Sequence, residues 1–413
     1  MAPKGTYMNW VESEIPTHVP DYIEKKVLAW SPLMTAKNKS KLDDMTKPDY
    51  EFRIMVMNVE AFSTKKGNDF AKLFLIGRSM LIIDESTTIK NPQAKRTKHI
   101  LSLSKEATYR RILTGSPVTQ SPMDLWSQMD FLDPEILDQT SFYAFRTRYA
   151  VMISSTAAGG THKYQKIVKF KNLKELGEKV APHSYRILKK DCLDLPDKVF
   201  QKRIVELTDE QTKAYEMMRR NAIAILNGEA MSAPNVLTQL IRLHQIVCGH
   251  MKTDEGNMIE LKSNRINELM NILDETSGKV IIWANYINDI KAIEKEIQKE
   301  YGFDSCCTYF GETKTEDRQI CINKFQDPNS SIRFFIGNTQ TGGYGITLTE
   351  ASTVIYYSNN YDLEKRMQSE DRAHRIGQKN KVNYIDLVAP KTVDEKIIKA
   401  LRNKVNIAKE ISG

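Results

Sequence analysis

The chain has 413 residues, 41% of them hydrophobic and 27% charged, with a formal net charge of +8. That length is too great for one compact core and the composition is ordinary for a globular protein, so two or three domains are expected. No apolar run approaches the ~20 residues of a membrane-spanning helix, which excludes an integral helical membrane protein as a reading, and the start "MAPKGTYMNW" lacks the basic start and apolar core of a signal peptide. Five cysteines, with Cys306 and Cys307 adjacent and no CxxC, point to reduced thiols in a cytoplasmic setting.

In chain order, "FRIMVMNV" (52–59), "MLIIDE" (80–85) and "YRRILTG" (109–115) read as buried parallel strands separated by crossover helices. Residues 136–250 read as mainly helical. "LTDEQTKAYEMMRRNAIAILNG" opens with a capping residue and acids and closes on Gly228, and "PNVLTQLIRLHQIVCGH" carries Pro234 near its start. "SSTAAGGTHK" between them and the first lobe reads as a turn. A second set of strands follows in "KVIIWAN", "IRFFIGN", "STVIYYS" and "VNYIDLV", and "TVDEKIIKALRNKVNIAKEI" ends the chain as a helix capped by Thr392 or Asp394. The pattern predicts an α/β protein with two lobes (1–135 and 251–390), a helical insertion and linker (136–250) and a C-terminal helix (391–413). Basic residues exceed acidic ones by 37 to 28 in residues 1–250, against 23 to 24 in the remainder. The densest tract, 161–190, suits a phosphate-backbone partner or a solvated basic face.

Four stretches bear on chemistry. Asp84 and Glu85 end a strand where ligands of open α/β sheets bind, so Asp84 is a candidate Mg²⁺ ligand and Glu85 a candidate for orienting or deprotonating a water, with an ordinary helix start as the alternative. Thr114, Gly115 and Ser116 form a hydroxyl-bearing turn. Gly342, Gly343 and Gly345 would admit close backbone approach of a ligand. In "QSEDRAHRIGQ", Arg372 and Arg375 are three apart and on a helix share a face that could clamp phosphate, unless Glu370 and Asp371 pair with them locally. His244, Cys248 and His250 have no partner pair elsewhere and read better as a helix with core residues than as a zinc site.

Together "DESTTIKN", "LTGSPVTQSPMDLW", "QTGGYGITLTEA" and "QSEDRAHRIGQ" resemble, in order, motifs two, three, five and six of superfamily-two helicases, in the form of the Swi/Snf-type DNA translocase ATPases. "PKGTYMNWVESEI", "MNVEAF", "VIIWANY" and "YFGETKTEDRQICINKFQ" resemble further landmarks, and the likeness covers nearly the whole chain. The resemblance implies two RecA-like lobes with ATP between them, Asp84 on Mg²⁺, Glu85 on the attacking water, and Arg372 and Arg375 as arginine fingers. It implies Gly343, Gly345 and Gln378 near the nucleotide, Thr114, Gly115 and Ser116 coupling nucleotide state to closure, and Lys4, Asn58, Thr341 and Gly342 at nucleic acid. Duplex DNA is the implied partner, with a catalytically silent nucleic-acid-binding module and an RNA helicase as alternatives. The short insertions suggest a bacterial or viral source and a nucleoid-associated protein.

Two departures from the pattern matter. Thr87 stands where motif two has His, which predicts altered coupling, since Thr reaches less far. And no G-x-x-x-x-G-K-[ST] cradle occurs in the 413 residues. The expectation is therefore an enzyme cut short before motif Ia, or the larger part of a split one. Its first lobe would lack the P-loop strand and helix, its ATP turnover alone would be weak or nil, and a P-loop-bearing polypeptide would be a possible partner.

Overall fold

A computed structural model describes residues 1–4, 6–33, 35–47, 52–75, 77–156, 163–228, 233–252, 257–342 and 345–412. The chain forms two compact units. The first comprises Met1–Met152, Ile167–Tyr185 and Lys404–Gly413; the second comprises Ile153–Lys166 and Arg186–Asn403.

In the first unit, β1 (Lys25–Ala29) pairs in parallel with β2 (Phe52–Val56), and β3 (Met80–Asp84) with β4 (Tyr109–Leu113). Between the two pairs lies a stub of extended chain. The Met1 nitrogen donates to Ile82 O (2.8 Å) and the Asp84 N–H to Met1 O (2.8 Å), while the Ala2 N–H donates to Met57 O (3.0 Å) and the Val59 N–H to Ala2 O (3.0 Å). Helices α1 (Lys65–Phe74), α2 (Lys95–Ser104) and α3 (Leu125–Leu132) bring Phe70, Ala71, Ile100, Leu103 and Phe131 onto one core with Leu81, Ile83 and Met57. Leu81 and Ile83 share a face because side chains alternate along a strand.

The second unit is built on a six-stranded, all-parallel sheet. Its strands are β5 (Lys198–Ile204), β6 (Lys279–Trp283), β7 (Cys306–Tyr309), β8 (Phe334–Gly337), β9 (Ala351–Tyr356) and β10 (Val382–Val388), in the spatial order β7-β8-β6-β9-β10-β5. Central strands are buried on both faces, as parallel sheets demand. Val280 and Ile282 join Phe334, Ile336 and Ile355 under helices Asn264–Glu275 and Ile287–Tyr301. Ile281 and Trp283 join Phe335, Val354 and Tyr356 on the opposite face, with Cys321 and Phe325 of Thr315–Gln326. Helices Asp209–Gly228 and Ala233–Cys248 fall where the capping signals place them, and the last helix is Val393–Ser412. No helix among the described residues is long and apolar enough to cross a membrane.

Three readings of the sequence are corrected here. Residues 136–250 are not simply helical: they contain strands Ala150–Thr156 and Lys163–Phe170, and β5, which completes the second unit's sheet by pairing with β10. The break between the compact units accordingly does not fall at 135 or 250. The thiols are not all reduced: Cys307 of β7 and Cys321 form a disulfide with Cα atoms 5.8 Å apart, a pairing that their separation of 14 residues did not announce.

Candidate functional site

In the first unit the apolar run of β3 delivers Asp84 to the strand's C-terminal end, half-buried, where Trp10 Nε1 donates to its Oδ2 at 2.9 Å. Glu85 follows in the left-handed region (φ 51°, ψ 62°). Such a conformation is uncommon for a residue with a Cβ and collects at functional sites. It turns the chain sharply into a short 3₁₀ turn, Ser86–Ile89, in which Ser86, Thr87 and Ile89 are buried.

A buried polar relay runs from there. Ser86 Oγ donates to Gln128 Oε1 (2.6 Å), and Gln128 Nε2 donates to Pro117 O (2.8 Å) and Asp124 O (2.7 Å). Asp124 Oδ2 accepts from the N–H groups of Thr119 (3.0 Å) and Gln120 (2.7 Å), and Lys90 Nζ donates to Thr119 Oγ1 (2.9 Å). The segment after Asp84-Glu85 is thus tied to the segment after β4 through Ser86, Gln128, Asp124, Thr119 and Lys90. Thr114 and Ser116, to which the resemblance gives the coupling of nucleotide state to closure, close their own turn: Thr114 Oγ1 accepts from the Ser116 N–H (3.2 Å) and Ser116 Oγ donates to Val118 O (3.0 Å), with exposed Gly115 between them. Ser86, the residue before Thr87, makes this bridge. The signal was present, because Asp124 and Gln128 sit three and seven residues after Ser121, but their burial was not legible. Of the residues assigned to nucleic acid here, Lys4 is exposed, whereas Asn58 Oδ1 accepts from the Ala61 N–H (2.8 Å) as the cap of Val59–Ser63.

In the second unit the helix α4 (Leu363–Ala373), capped by Asp362, stops before Arg375. Arg372 and Arg375 therefore do not share a helical face. The cause is Gln378: its buried Nε2 donates to Thr349 O (3.0 Å), Ala351 O (2.8 Å) and Ala373 O (3.2 Å), and Gly377 at φ 100° lets the chain fold back to place it. Gln378 thereby braces the loop through backbone carbonyls. Arg372 is half-buried, with Nη1 on Ile346 O (3.1 Å) and Nε on Gln368 O (2.8 Å), while Arg375 is exposed.

One arginine of this helix was missed. Arg366 is buried, donates through Nε to Glu370 (2.8 Å) and through Nη1 to Asn359 (2.7 Å), pairs with Asp386 of β10 and stacks over the Tyr356 ring at 3.5 Å. Burial opposes its charge, but Tyr356, Asp386 and Glu370 outweigh that and push its pKa up.

The glycines also differ from expectation. A Cβ at Gly342 would lie 2.6 Å from Cη2 of Trp283, so close packing against an indole requires that glycine. Thr341 is half-buried beside it, Gly345 is exposed with φ 73°, and Gly343 lies outside the described residues.

For a magnesium–triphosphate the fit is partial. Among the described residues no group of three or more His, Cys, Asp or Glu is arranged to hold a metal. A divalent ion at Asp84 would rest on one carboxylate and the nucleotide's own oxygens, an arrangement usual for Mg²⁺. The phosphate cradle has no counterpart in the 413 residues.

Comparison with known proteins places these features. The SNF2-related domain matches residues 1–252 and the helicase conserved C-terminal domain matches residues 262–377. The chain is 27% identical over 351 residues to the SWI/SNF chromatin-remodeling complex subunit snf22 of Schizosaccharomyces pombe, covering 79% of this chain and 20% of that protein. It is 26% identical over 335 residues to the uncharacterized ATP-dependent helicase MG018 of Mycoplasma genitalium, covering 80% of this chain and 30% of that protein. The chain thus spans less than a third of the length of these relatives. Among solved structures, the Sulfolobus solfataricus SWI2/SNF2 ATPase core in complex with dsDNA is 26% identical, covering 99% of this chain and 81% of that one at a TM-score of 0.43. Relatives from yeasts, fruit fly and thale cress stand beside one from a bacterium, so the suspicion of a bacterial or viral source finds no support. With the first domain covering well over half of its residues, the chain belongs to the SNF2-related family.

Proposed function

We propose that the protein is the motor part of an ATP-dependent translocase on duplex DNA. Asp84 holds Mg²⁺, and Glu85 orients the water that attacks the terminal phosphate. Arg375, exposed beyond the end of α4, supplies positive charge to the transferring phosphoryl group, and Arg372 positions that loop through Ile346 O. The bound magnesium–nucleotide would supply the electrophilic phosphorus. Lys4, Thr341 and the basic residues of 161–190 would grip backbone phosphates without reading bases. The observation that carries the reading is the acidic pair at the exit of a parallel strand, with Glu85 in a left-handed conformation. The names of the relatives, a chromatin-remodeling subunit and an ATP-dependent helicase, support the same class.

The alternative is a module that grips nucleic acid and turns over no ATP. The two separate by measuring ATP hydrolysis and duplex-DNA binding on the same samples. Weak turnover is expected from the chain alone, because the cradle for the β- and γ-phosphates is not among its residues. Glu85→Gln is expected to lower that turnover by roughly 100-fold or more while leaving DNA affinity unchanged. Turnover unaffected by Glu85→Gln would sink the motor reading. Duplex DNA, not structured RNA, is expected to stimulate it.

A further inference from the structure

The disulfide of the second unit joins two elements that are otherwise lightly connected. Cys307 lies on β7, an edge strand of the sheet, and Cys321 on the helix Thr315–Gln326. That helix is thinly fastened. Among its described residues only Cys321 and Phe325 are buried, whereas Ile287–Tyr301 buries Asp289, Ile290, Ile293 and Ile297. Phe325 holds the C-terminal end, where Lys279 Nζ donates to Phe325 O (2.6 Å) and Asp327 O (2.6 Å). Midway along, the disulfide is the fastening, with Arg318 Nη2 donating to Phe310 O (3.0 Å) nearly one turn earlier.

The sulfurs are within reach of solvent. Cys307 and Cys321 both line an open cavity of about 940 Å³ beside β7, and Cys307 is the less buried of the two. Cys306 does not compete for the pairing. Side chains alternate across a strand, so it packs into the core on the opposite face of the sheet, and burial pushes its thiol up to about 11.

From the end of the helix the contacts run on to the loop after α4. Gln326 Nε2 donates to Thr349 Oγ1 (3.2 Å), and Gln326 Oε1 accepts from the Glu350 N–H (3.2 Å). Thr349 O accepts from Gln378 Nε2 (3.0 Å), and the Leu348 N–H donates to Arg372 O (3.0 Å). A helix released at Cys321 pivots about Phe325, and Gln326, the next residue, turns with it.

We propose that Cys307 and Cys321 are a reversible thiol–disulfide modification site, and that its state sets how firmly the loop carrying Arg372 and Arg375 is held. The co-reactant is a dithiol. Its thiolate attacks Cys307 Sγ, the S–S bond breaks, and Cys321 leaves as a thiolate that takes up a proton. The second thiol of the dithiol then attacks the mixed disulfide and releases Cys307 as a thiol. The protein gains two electrons and two protons and the dithiol becomes a cyclic disulfide. A disulfide oxidant, itself reduced to two thiols, restores the bond. In the ATP reading above this loop presents Arg375 to the phosphoryl group, but the modification and its effect on the loop do not depend on that reading.

The test equilibrates the full chain with dithiothreitol or with glutathione disulfide. Amide hydrogen exchange is read by mass spectrometry without nucleotide, with non-reducing peptide mapping on the same samples. A peptide pair cross-linked between Cys307 and Cys321 is expected in the oxidised sample alone. Reduction is expected to speed exchange at least about tenfold in the helix and at least about threefold in residues 374–378. Cys307→Ser is expected to exchange like the reduced chain in both conditions, while Cys192→Ser, which removes an exposed thiol elsewhere, responds as the parent does. Gln326→Ala keeps the response of the helix and loses that of 374–378. No cross-linked pair, a response that survives Cys307→Ser, or a helix that loosens while 374–378 is unchanged overturns the proposal. A chain without ATP turnover gives the same exchange result, so failure of the motor reading and failure of this one are told apart.

Discussion

Arg366 shows what a single side chain can hide. It lies between Lys365 and Met367 in a helix that is the most polar of the second unit's helices around the sheet, yet its guanidinium is enclosed by Asp386, Glu370, Asn359 and the Tyr356 ring. Removing one partner of a buried pair leaves the other charge uncompensated, which costs about 3–5 kcal/mol, far more than an exposed pair contributes. Arg366→Met is therefore expected to lower the stability of the second unit by about that amount in denaturant unfolding, and Arg366→Met with Asp386→Leu by much less, because no lone charge remains. A loss below about 1 kcal/mol for the single substitution would mean that water reaches Asp386. Glu85 illustrates the opposite case. Its type and place announced a role, but only the backbone revealed the left-handed turn that presents it.

Among the elements, the short helix Thr339–Gly342 packs its last residue against Trp283 of β6, with Gly337 pressed on the same ring. The indole fills the space that a Cβ would need. Gly342→Ala must push Trp283 or the helix aside, and overpacking of this kind costs about 1–3 kcal/mol. Lower thermal stability with unchanged DNA affinity is the expected result; unchanged stability with weakened DNA binding would restore the reading of Gly342 as a residue of the nucleic-acid site. The helix Leu363–Ala373 and the loop after it make a second element-level point. On a helix Arg372 and Arg375 would share a face, but the helix ends at Ala373 and Gln378 hydrogen-bonds three backbone carbonyls beyond it, which puts the two arginines in different environments. One braces a loop and the other is exposed.

For the whole molecule, two compact units with separate cores imply that unfolding is not a single all-or-none event. Phe52, Met80, Ile82, Tyr109 and Leu113 of the first unit's strands are exposed, whereas β6 and β8 of the second are buried along nearly their whole length, so the first has less apolar area removed from water for its strands. Calorimetry of the chain is expected to resolve two transitions, the lower one shifted by Ile83→Ala and the higher one by Arg366→Met; a single transition moved by both would refute independent units. The sequence by itself determined where the central strands and main helices lie, which family motifs are present and that no phosphate cradle is among them. These features are legible because buried parallel strands are continuous apolar runs, and because motif residues are read by type and order. Only the tertiary structure decided that "KVFQKRI" closes the second sheet, that Arg366 is enclosed, that Cys307 meets Cys321, that Gln128 and Asp124 link the turn after Glu85 to the segment after β4, and that Met80, Ile82 and Leu113 are exposed. Each of these depends on which residues distant in sequence are brought together, and periodicity along the chain records how a residue repeats, not what comes to lie against it.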